Sequence, residues 1–312
     1  MKKIVAFCLA VLVAAPAVWA APAAKKAATQ KKAEFIIVES GEYAAGKEDP
    51  RLTAGIAQFL GMEPVVTKKT QLEAMQDEKL ANLDYSFLPW YLVKKTDAVR
   101  SKMESYLQRG FVLETEEYIV LPHQTRSGVY TAKEAKPGVM EIFVMSQCPY
   151  GVLAESAVIE AKKNGTFPQG KEVKIRYIVN YDPRNGFSSL HGSAEWEEDV
   201  RQLLIAKYYP SKLWQYLEIR NKDYRSSRWD KAMQQAGINV NKIMKKFDTE
   251  GLELLKQEAA YGKEYGVNAS PSFLWEGKVL LDFGSAAEID GFSFLNPRTA
   301  SGERAAAPAG SC

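Results

Sequence analysis

Between Phe35 and Val38 the chain is continuously apolar, and from Leu52 to Leu60 apolar residues return every three or four positions until Gly61 stops them. The first pattern predicts a buried strand and the second an amphipathic helix. A second helix is expected over Gln71–Ala81. Ser86 to Val93 reads as a buried strand carrying Pro89 near its start, Asp97–Gln108 as a helix ended at Gly110, and Phe111–Leu121 as a pair of strands. Strands and helices alternating at this spacing predict a small α/β unit over residues 34–136.

The stretch Thr131–Gly138 is polar and contains Pro137, which places a domain boundary there and opens a second unit over 137–296. Val139–Met145 is a near-continuous apolar strand, as in a sheet covered on both faces. Ser146-Gln147-Cys148-Pro149-Tyr150-Gly151 then turns into a helix that runs to about Lys163 and stops at Asn164-Gly165. Val173–Asn180 is the next strand. A mostly helical stretch follows over about 193–262, broken at Pro210 and Gly237. Ala269–Trp275 is a strand, Glu276-Gly277 a tight turn into Val279–Phe283, and Ala286–Phe292 a short closing helix. Residues 297–312 are poor in core-forming side chains and are expected to be a disordered tail.

The start of the chain changes where this protein is expected to work. Lys2 and Lys3, the apolar run Ile4–Ala15 and the small residues around Trp19 have the layout of a cleaved signal peptide over residues 1–20, and Ala/Lys-rich residues 21–33 read as a flexible linker. The expected destination is extracytoplasmic and periplasm-like, with no membrane segment once the signal is removed. About 290 residues would remain, enough for two domains when 46% of the chain is hydrophobic. Of the three cysteines only Cys148 and Cys312 would survive cleavage, so disulfides are not the scaffold. A net charge of +3, carried partly by Lys25, Lys26, Lys31 and Lys32, is too weak to imply nucleic acid.

Candidate chemistry centres on Cys148. Proline just inside a helix sacrifices no needed hydrogen bond, and the free amides and positive dipole end of that helix stabilise a thiolate at its cap. Such a position favours a nucleophilic sulfur, whereas a free cysteine elsewhere is more often a buried, inert one. His123 and His191 are the two histidines. A Cys148–His191 hydrolase pair is conceivable, although cysteine followed by proline at a strand end suits redox chemistry better. Gly165–Lys171 has phosphate-loop spacing but lies between a helix and a strand, with Glu172 where Ser or Thr belongs, so it argues for no nucleotide. No cluster has metal-ligand spacing, and no cofactor is expected. The aromatic residues Tyr208, Tyr209, Trp214, Tyr216, Tyr224 and Trp229 read as the core of the helical stretch and its seam onto the sheet.

Val144–Gly151 resembles the active-site segment of the thioredoxin superfamily, and the order of elements around it is similar to the DsbA-like branch. The resemblance implies tandem thioredoxin-like units, the C-terminal one DsbA-like with a helical insertion at about 193–262. In the first unit, Glu39–Tyr43 would stand where a redox pair sits, without cysteine, and Leu88-Pro89 would be the counterpart of Ser270-Pro271. Ser270-Pro271 matches the position of the family's cis-proline, whose loop would offer backbone to a substrate, with Pro149, Tyr150 and Gly151 shaping the helix start. Leu190–Asp199 further resembles the signature of gamma-interferon-inducible lysosomal thiol reductases, and His191 and Glu195 become accessory candidates. There, Trp196 and Leu204 replace cysteines of the signature and Asp199 replaces its Asn. The sharper departure is Gly151, which stands where the family has the second cysteine of Cys-x-x-Cys. A resolving thiol at that place frees a trapped substrate. Its loss leaves three alternatives: monothiol exchange helped by glutathione or another small thiol, resolution by Cys312, or a non-catalytic client-binding or assembly module. The expected function is extracytoplasmic thiol–disulfide exchange on protein thiols or disulfides through Cys148.

Overall fold

The computed structural model describes residues 31–41, 43–121 and 127–296. The expected signal peptide, linker residues 21–30 and the tail 297–312 lie outside the described residues. In the first half, β1 (Lys32–Glu39) leads to α1 (Pro50–Leu60), β2 (Glu63–Thr70), α2 (Gln71–Gln76), β3 (Phe87–Leu88), β4 (Trp90–Lys94), α3 (Asp97–Gln108), β5 (Leu113–Glu114), β6 (Tyr118–Leu121) and β7 (Gly128–Tyr130). In the second, β8 (Val139–Val144) is followed by α4 (Pro149–Lys163), β9 (Glu172–Tyr177) and the β10 (Asn180–Asp182) and β11 (Gly186–Ser188) hairpin. Five helices come next: α5 (Ser193–Tyr208), α6 (Leu213–Arg220), α7 (Trp229–Gln235), α8 (Val240–Met244) and α9 (Leu252–Glu264). The chain then forms β12 (Ser272–Trp275), β13 (Val279–Leu281) and α10 (Phe283–Ala286). The protein is mixed α/β, as its pattern predicts.

Local chemistry explains the helix ends that the sequence marks. Asp49 caps α1 through the Arg51 amide, Pro50 occupies its first turn, and Gly61 closes it at φ 70°. Thr70 and Glu73 form a reciprocal capping box on α2, and Thr96 caps α3 through the Val99 amide. Several bounds differ from expectation. Lys32 and Ala33 belong to β1 because they pair with Glu63 and Pro64, so the linker cannot extend to residue 33. The helix expected to reach Ala81 ends at Gln76, and the closing helix falls at Phe283–Ala286. β2 escapes the pattern altogether. It is exposed along nearly its whole length and is a strand because it lies parallel to β1.

A five-stranded sheet has the order β2-β1-β4-β6-β5 and a six-stranded sheet the order β3-β7-β13-β12-β8-β9. Both contain a first strand flanked by one parallel and one antiparallel neighbour, and in both the antiparallel neighbour follows a cis X-Pro bond: Leu88-Pro89 before β4 and Ser270-Pro271 before β12. The expected single strand over Ser86–Val93 is divided at Pro89. Phe87 and Leu88 pair with β7 in the larger sheet, while Trp90 to Lys94 pair within the smaller. Proline has no amide to give a ladder, which makes it a suitable point of transfer.

This transfer carries the larger sheet across residues 136/137, where the boundary is expected. The larger sheet includes strands 87–88 and 128–130, both upstream of Pro137, because β7 covers the edge of β13 that would otherwise be bare. The main core is formed by β8, β12 and β13 side chains, including Ile142, Val144, Phe273 and Val279, packed against α4 and α5. Tyr216 is fully buried there and Tyr208, Tyr209, Trp214 and Trp229 pack against its margin, as expected, whereas Tyr224, expected with them, is half-buried outside this cluster.

Gly128 is the tight point of the junction, since a Cβ there would lie 2.3 Å from the Phe87 ring and 2.5 Å from the Leu88 carbonyl. Gly128→Ala is expected to cost about 1–3 kcal/mol through overpacking, measured as a lower midpoint in urea unfolding.

Candidate functional site

The apolar strand β8 delivers the chain to its end at Val144, and Ser146-Gln147 turn it into α4 with Cys148 at the N-cap. The Cys148 amide donates to the Met145 carbonyl at 2.9 Å and the Val152 amide to the Cys148 carbonyl at 3.0 Å. Pro149 is exposed and Tyr150 half-buried. Cys148 makes no side-chain cap, so its sulfur sits at the positive end of a 15-residue helix without satisfying that end.

The loop before β12 closes over this turn. Ser270 is fully buried; its hydroxyl accepts from the Met145 amide at 2.9 Å, and its carbonyl oxygen lies 3.5 Å from Cys148 Sγ. The cis Ser270-Pro271 bond thus falls beside the cysteine. Gly151 packs against the same serine. A Cβ at residue 151 would meet Ser270 Oγ at 2.8 Å and the Met145 carbonyl at 3.2 Å. A side chain at residue 151 would therefore need Ser270 to shift.

Cys148 is fully buried and disulfide-bonded, and its partner sulfur lies outside the described residues, where the chain has Cys8 and Cys312. A disulfide sulfur carries no proton, so thiolate stabilisation applies only to the reduced form.

His191 and Glu195 are joined to the turn. Glu195, fully buried, accepts from the Gln147 amide at 3.0 Å, from the His191 amide at 3.2 Å and lies 2.8 Å from His191 Nδ1. The Ser146 hydroxyl donates to the Glu195 carbonyl at 3.1 Å. One carboxylate therefore ties the start of α5 to the residue before Cys148. Of the residues singled out in the sequence, Cys148, Gly151, Ser270, Pro271, Glu195 and His191 are brought together, while Cys312 lies outside the described residues.

Sequence reasoning missed the acids behind the turn. Glu198 and Asp199 on α5 and Glu155 on α4 are all buried. Burial alone would raise Glu198, but Arg220 and Arg201 outweigh it, helped by hydrogen bonds from Gln202 and Tyr216, and hold this carboxyl below its usual range. Asp199 has no such cations. Burial pushes it well above the carboxylate range, Ser146 eases it only in part, and Glu195 and Glu198 add to the rise. Burial likewise raises Glu155 to about 8 despite the counteracting Asn221 amide, with Glu198 adding to it. The only trace in the sequence is the unusual run Glu195-Trp196-Glu197-Glu198-Asp199, whose buried members recur at helical spacing on what proves to be an inward face.

No protein-family profile and no curated protein matches the sequence. Among solved structures, the chain is similar to the DsbA disulfide interchange protein of Klebsiella pneumoniae, with 16% identity over 55% of this chain and 89% of that one and a TM-score of 0.36. It is also similar to oxidised BdbD of Bacillus subtilis, with 16% identity, 55% and 92% coverage and a TM-score of 0.39. A third similarity is to ScsC of Proteus mirabilis in a transitional conformation, with 15% identity, 56% and 73% coverage and a TM-score of 0.37.

Two measurements test this geometry. Gly151→Ala should destabilise by about 1–3 kcal/mol, and less in a Ser270→Ala background that removes the obstructing oxygen. Denaturation of the four chains should give a coupling above ~0.5 kcal/mol; additive losses would separate the two residues. The second test concerns pH. Glu155 is protonated in the fold up to about 8 but ionises near 4.5 when unfolded. Its contribution is therefore full below 4.5 and is lost as pH rises towards 8. Glu155→Gln should flatten the fall in unfolding free energy across that window, leaving the part due to Asp199, which has the same sign.

Proposed function

We propose that this protein carries out thiol–disulfide exchange on protein substrates outside the cytoplasm, with Cys148 as its single active-site cysteine. The observation that carries this reading is the seating of Cys148 Sγ at the N-terminus of α4, 3.5 Å from the carbonyl of the cis-proline loop. A helix end that favours thiolate and a loop that offers backbone to an extended chain are the two things such a reaction needs. Pro149, Tyr150 and Gly151 shape the attacking turn, Ser270 and Pro271 receive the substrate, and Glu195, oriented by His191, holds the Gln147 amide in place. The strand orders β2-β1-β4-β6 and β9-β8-β12-β13, each with its cis-proline, support tandem thioredoxin-like units in which α5–α9 form a helical insertion and the first unit lacks the cysteine.

In the reaction, the Cys148 thiolate attacks one sulfur of a substrate disulfide, and the other substrate sulfur leaves as a thiolate. A second thiol must then attack Cys148 to release the substrate's first sulfur. Because Gly151 leaves no local thiol, Cys312 or a small thiol such as glutathione fills that role. The disulfide at Cys148 supports Cys312 as its partner, since Cys8 falls in the expected signal peptide. From Asn296 to Cys312, a flexible chain has a typical reach of ~20–24 Å. The resulting Cys148–Cys312 disulfide is returned to thiols by an external dithiol.

Full burial of Cys148 favours a second reading, a module that binds a client or assembly partner without turnover. The two separate cleanly. Reduced wild-type chain should exchange with a disulfide-bonded protein, Cys148→Ser should not, and Cys312→Ser should release substrate only when a small thiol is added. Peptide mapping of the oxidised chain should recover the 148–312 linkage. Client binding unchanged in Cys148→Ser, with no exchange in wild type, would establish the binding module instead.

A further inference from the structure

A cavity of about 1060 Å³ opens beside the turn that carries Cys148. One wall is the end of β9 with the β10–β11 hairpin, the other is the outer face of α9, and Met145, three residues before Cys148, lies between them. Val267 and Asn268 continue the wall into the loop whose Ser270 carbonyl approaches the sulfur. This volume is at the upper limit of the ~300–1,000 Å³ usual for small-molecule sites, and a run of several extended residues would fill it.

Its chemistry is one-sided. Lys256 and Lys263, a two-turn interval apart on α9, both line it, and no Asp or Glu does. Three other cations of this domain are matched: Lys133 with Glu264, Lys136 with Glu141, Arg176 with Glu258. Among the described residues, neither Lys256 nor Lys263 has an ion pair; Lys256 instead stands 5.2 Å from the centre of the Tyr181 ring. Between them the floor is Ala259, Ala260 and Gly262, and a Cβ at Gly262 would meet nothing within 4 Å. A main chain can therefore lie close to the helix. The rim carries the exposed Tyr181 and Leu190, and the hairpin beneath Tyr181 is braced by rings of Phe187 and Trp196. Ser189 lines the cavity with a hydroxyl that has no hydrogen-bond partner among the described residues.

We infer that this groove is a docking site for an extended acidic segment of the protein substrate, which Lys256 and Lys263 select by charge while its cysteine is presented to Cys148. The inference rests on the exchange function proposed above and assigns its substrate class. The chain's own tail is a poor occupant on the same ground, because it carries Arg298 and Arg304 against a single Glu303.

Binding tests the groove without the chemistry. Two fluorescent, cysteine-free ten-residue peptides of the same length, one rich in Glu and one rich in Lys, are titrated into the full-length wild-type chain at low salt. The acidic peptide should bind about tenfold more tightly than the basic one, and added salt should remove the difference. In Lys256→Glu combined with Lys263→Glu the preference should invert, while Gly262→Leu, which fills the floor, should weaken both peptides. After reduction, reaction of the Cys148 thiol with the neutral 2-hydroxyethyl disulfide should be the same in wild type and the charge-reversed chain. Equal affinity for the two peptides, or a preference indifferent to charge reversal, would overturn the docking site even where Cys148 reacts normally. Failure of the small disulfide to react, with charge-selective binding intact, would instead reject the exchange chemistry and keep the groove.

Discussion

The contact between Ser270 and the start of α4 is the constraint around which this protein is organised. One side chain fills the Met145 amide, occupies the space above Gly151 and, through its backbone, stands against Cys148 Sγ. These three relations require β12 to begin beside the end of β8, which the antiparallel register from Ser272–Phe143 to Trp275–Met140 provides. They also explain why glycine suits residue 151, because the helix and the proline loop approach so closely that a Cβ there would lie 2.8 Å from Ser270 Oγ.

Behind that contact, α5 buries acidic side chains. Its inward face carries Glu195, Glu198 and Asp199, and burying a charge is costly unless it is paired. Each acid meets the cost differently. Glu195 is held by amides of the turn and by His191, Glu198 by two arginines and Tyr216, while burial pushes the Asp199 carboxyl well above its usual range. The outcome couples the helical stretch to the turn at Ser146 and Gln147 through hydrogen bonds rather than apolar packing. Directional contacts of this kind specify one orientation of α5, where an apolar face would tolerate sliding.

The two sheets are joined by the same economy of backbone. At Pro89 the chain leaves the larger sheet and enters the smaller within one residue, and β7 returns to seal the edge of β13. The inner strands of the smaller sheet bury side chains in two clusters, Phe35, Ile37 and Tyr91 in one and Val38, Leu92 and Trp90 in the other, while the edge strand β2 stays exposed.

How much of this was legible beforehand depends on the range of the interaction responsible. Helices α1 and α3, the strand β8 and the turn at Cys148 follow from caps, apolar runs and proline placement, which act within a few residues. The cis bond before Pro271 was expected from the family resemblance and not from any local pattern. The strand β2 was not legible, because its exposed residues carry no alternation and only the neighbouring β1 makes it a strand. Nor was the division of Ser86–Val93 between two sheets, since both halves are equally apolar and distant pairing partners, β7 for the one and β1 and β6 for the other, decide it. The burial of Cys148, the closure of residue 151 by Ser270 and the inward acids of α5 belong to the same class. The sequence by itself determined which residues could cap, turn or react; the tertiary structure alone decided which of them touch, because contacts between distant segments depend on how strands pair and helices pack, and no local pattern encodes that pairing.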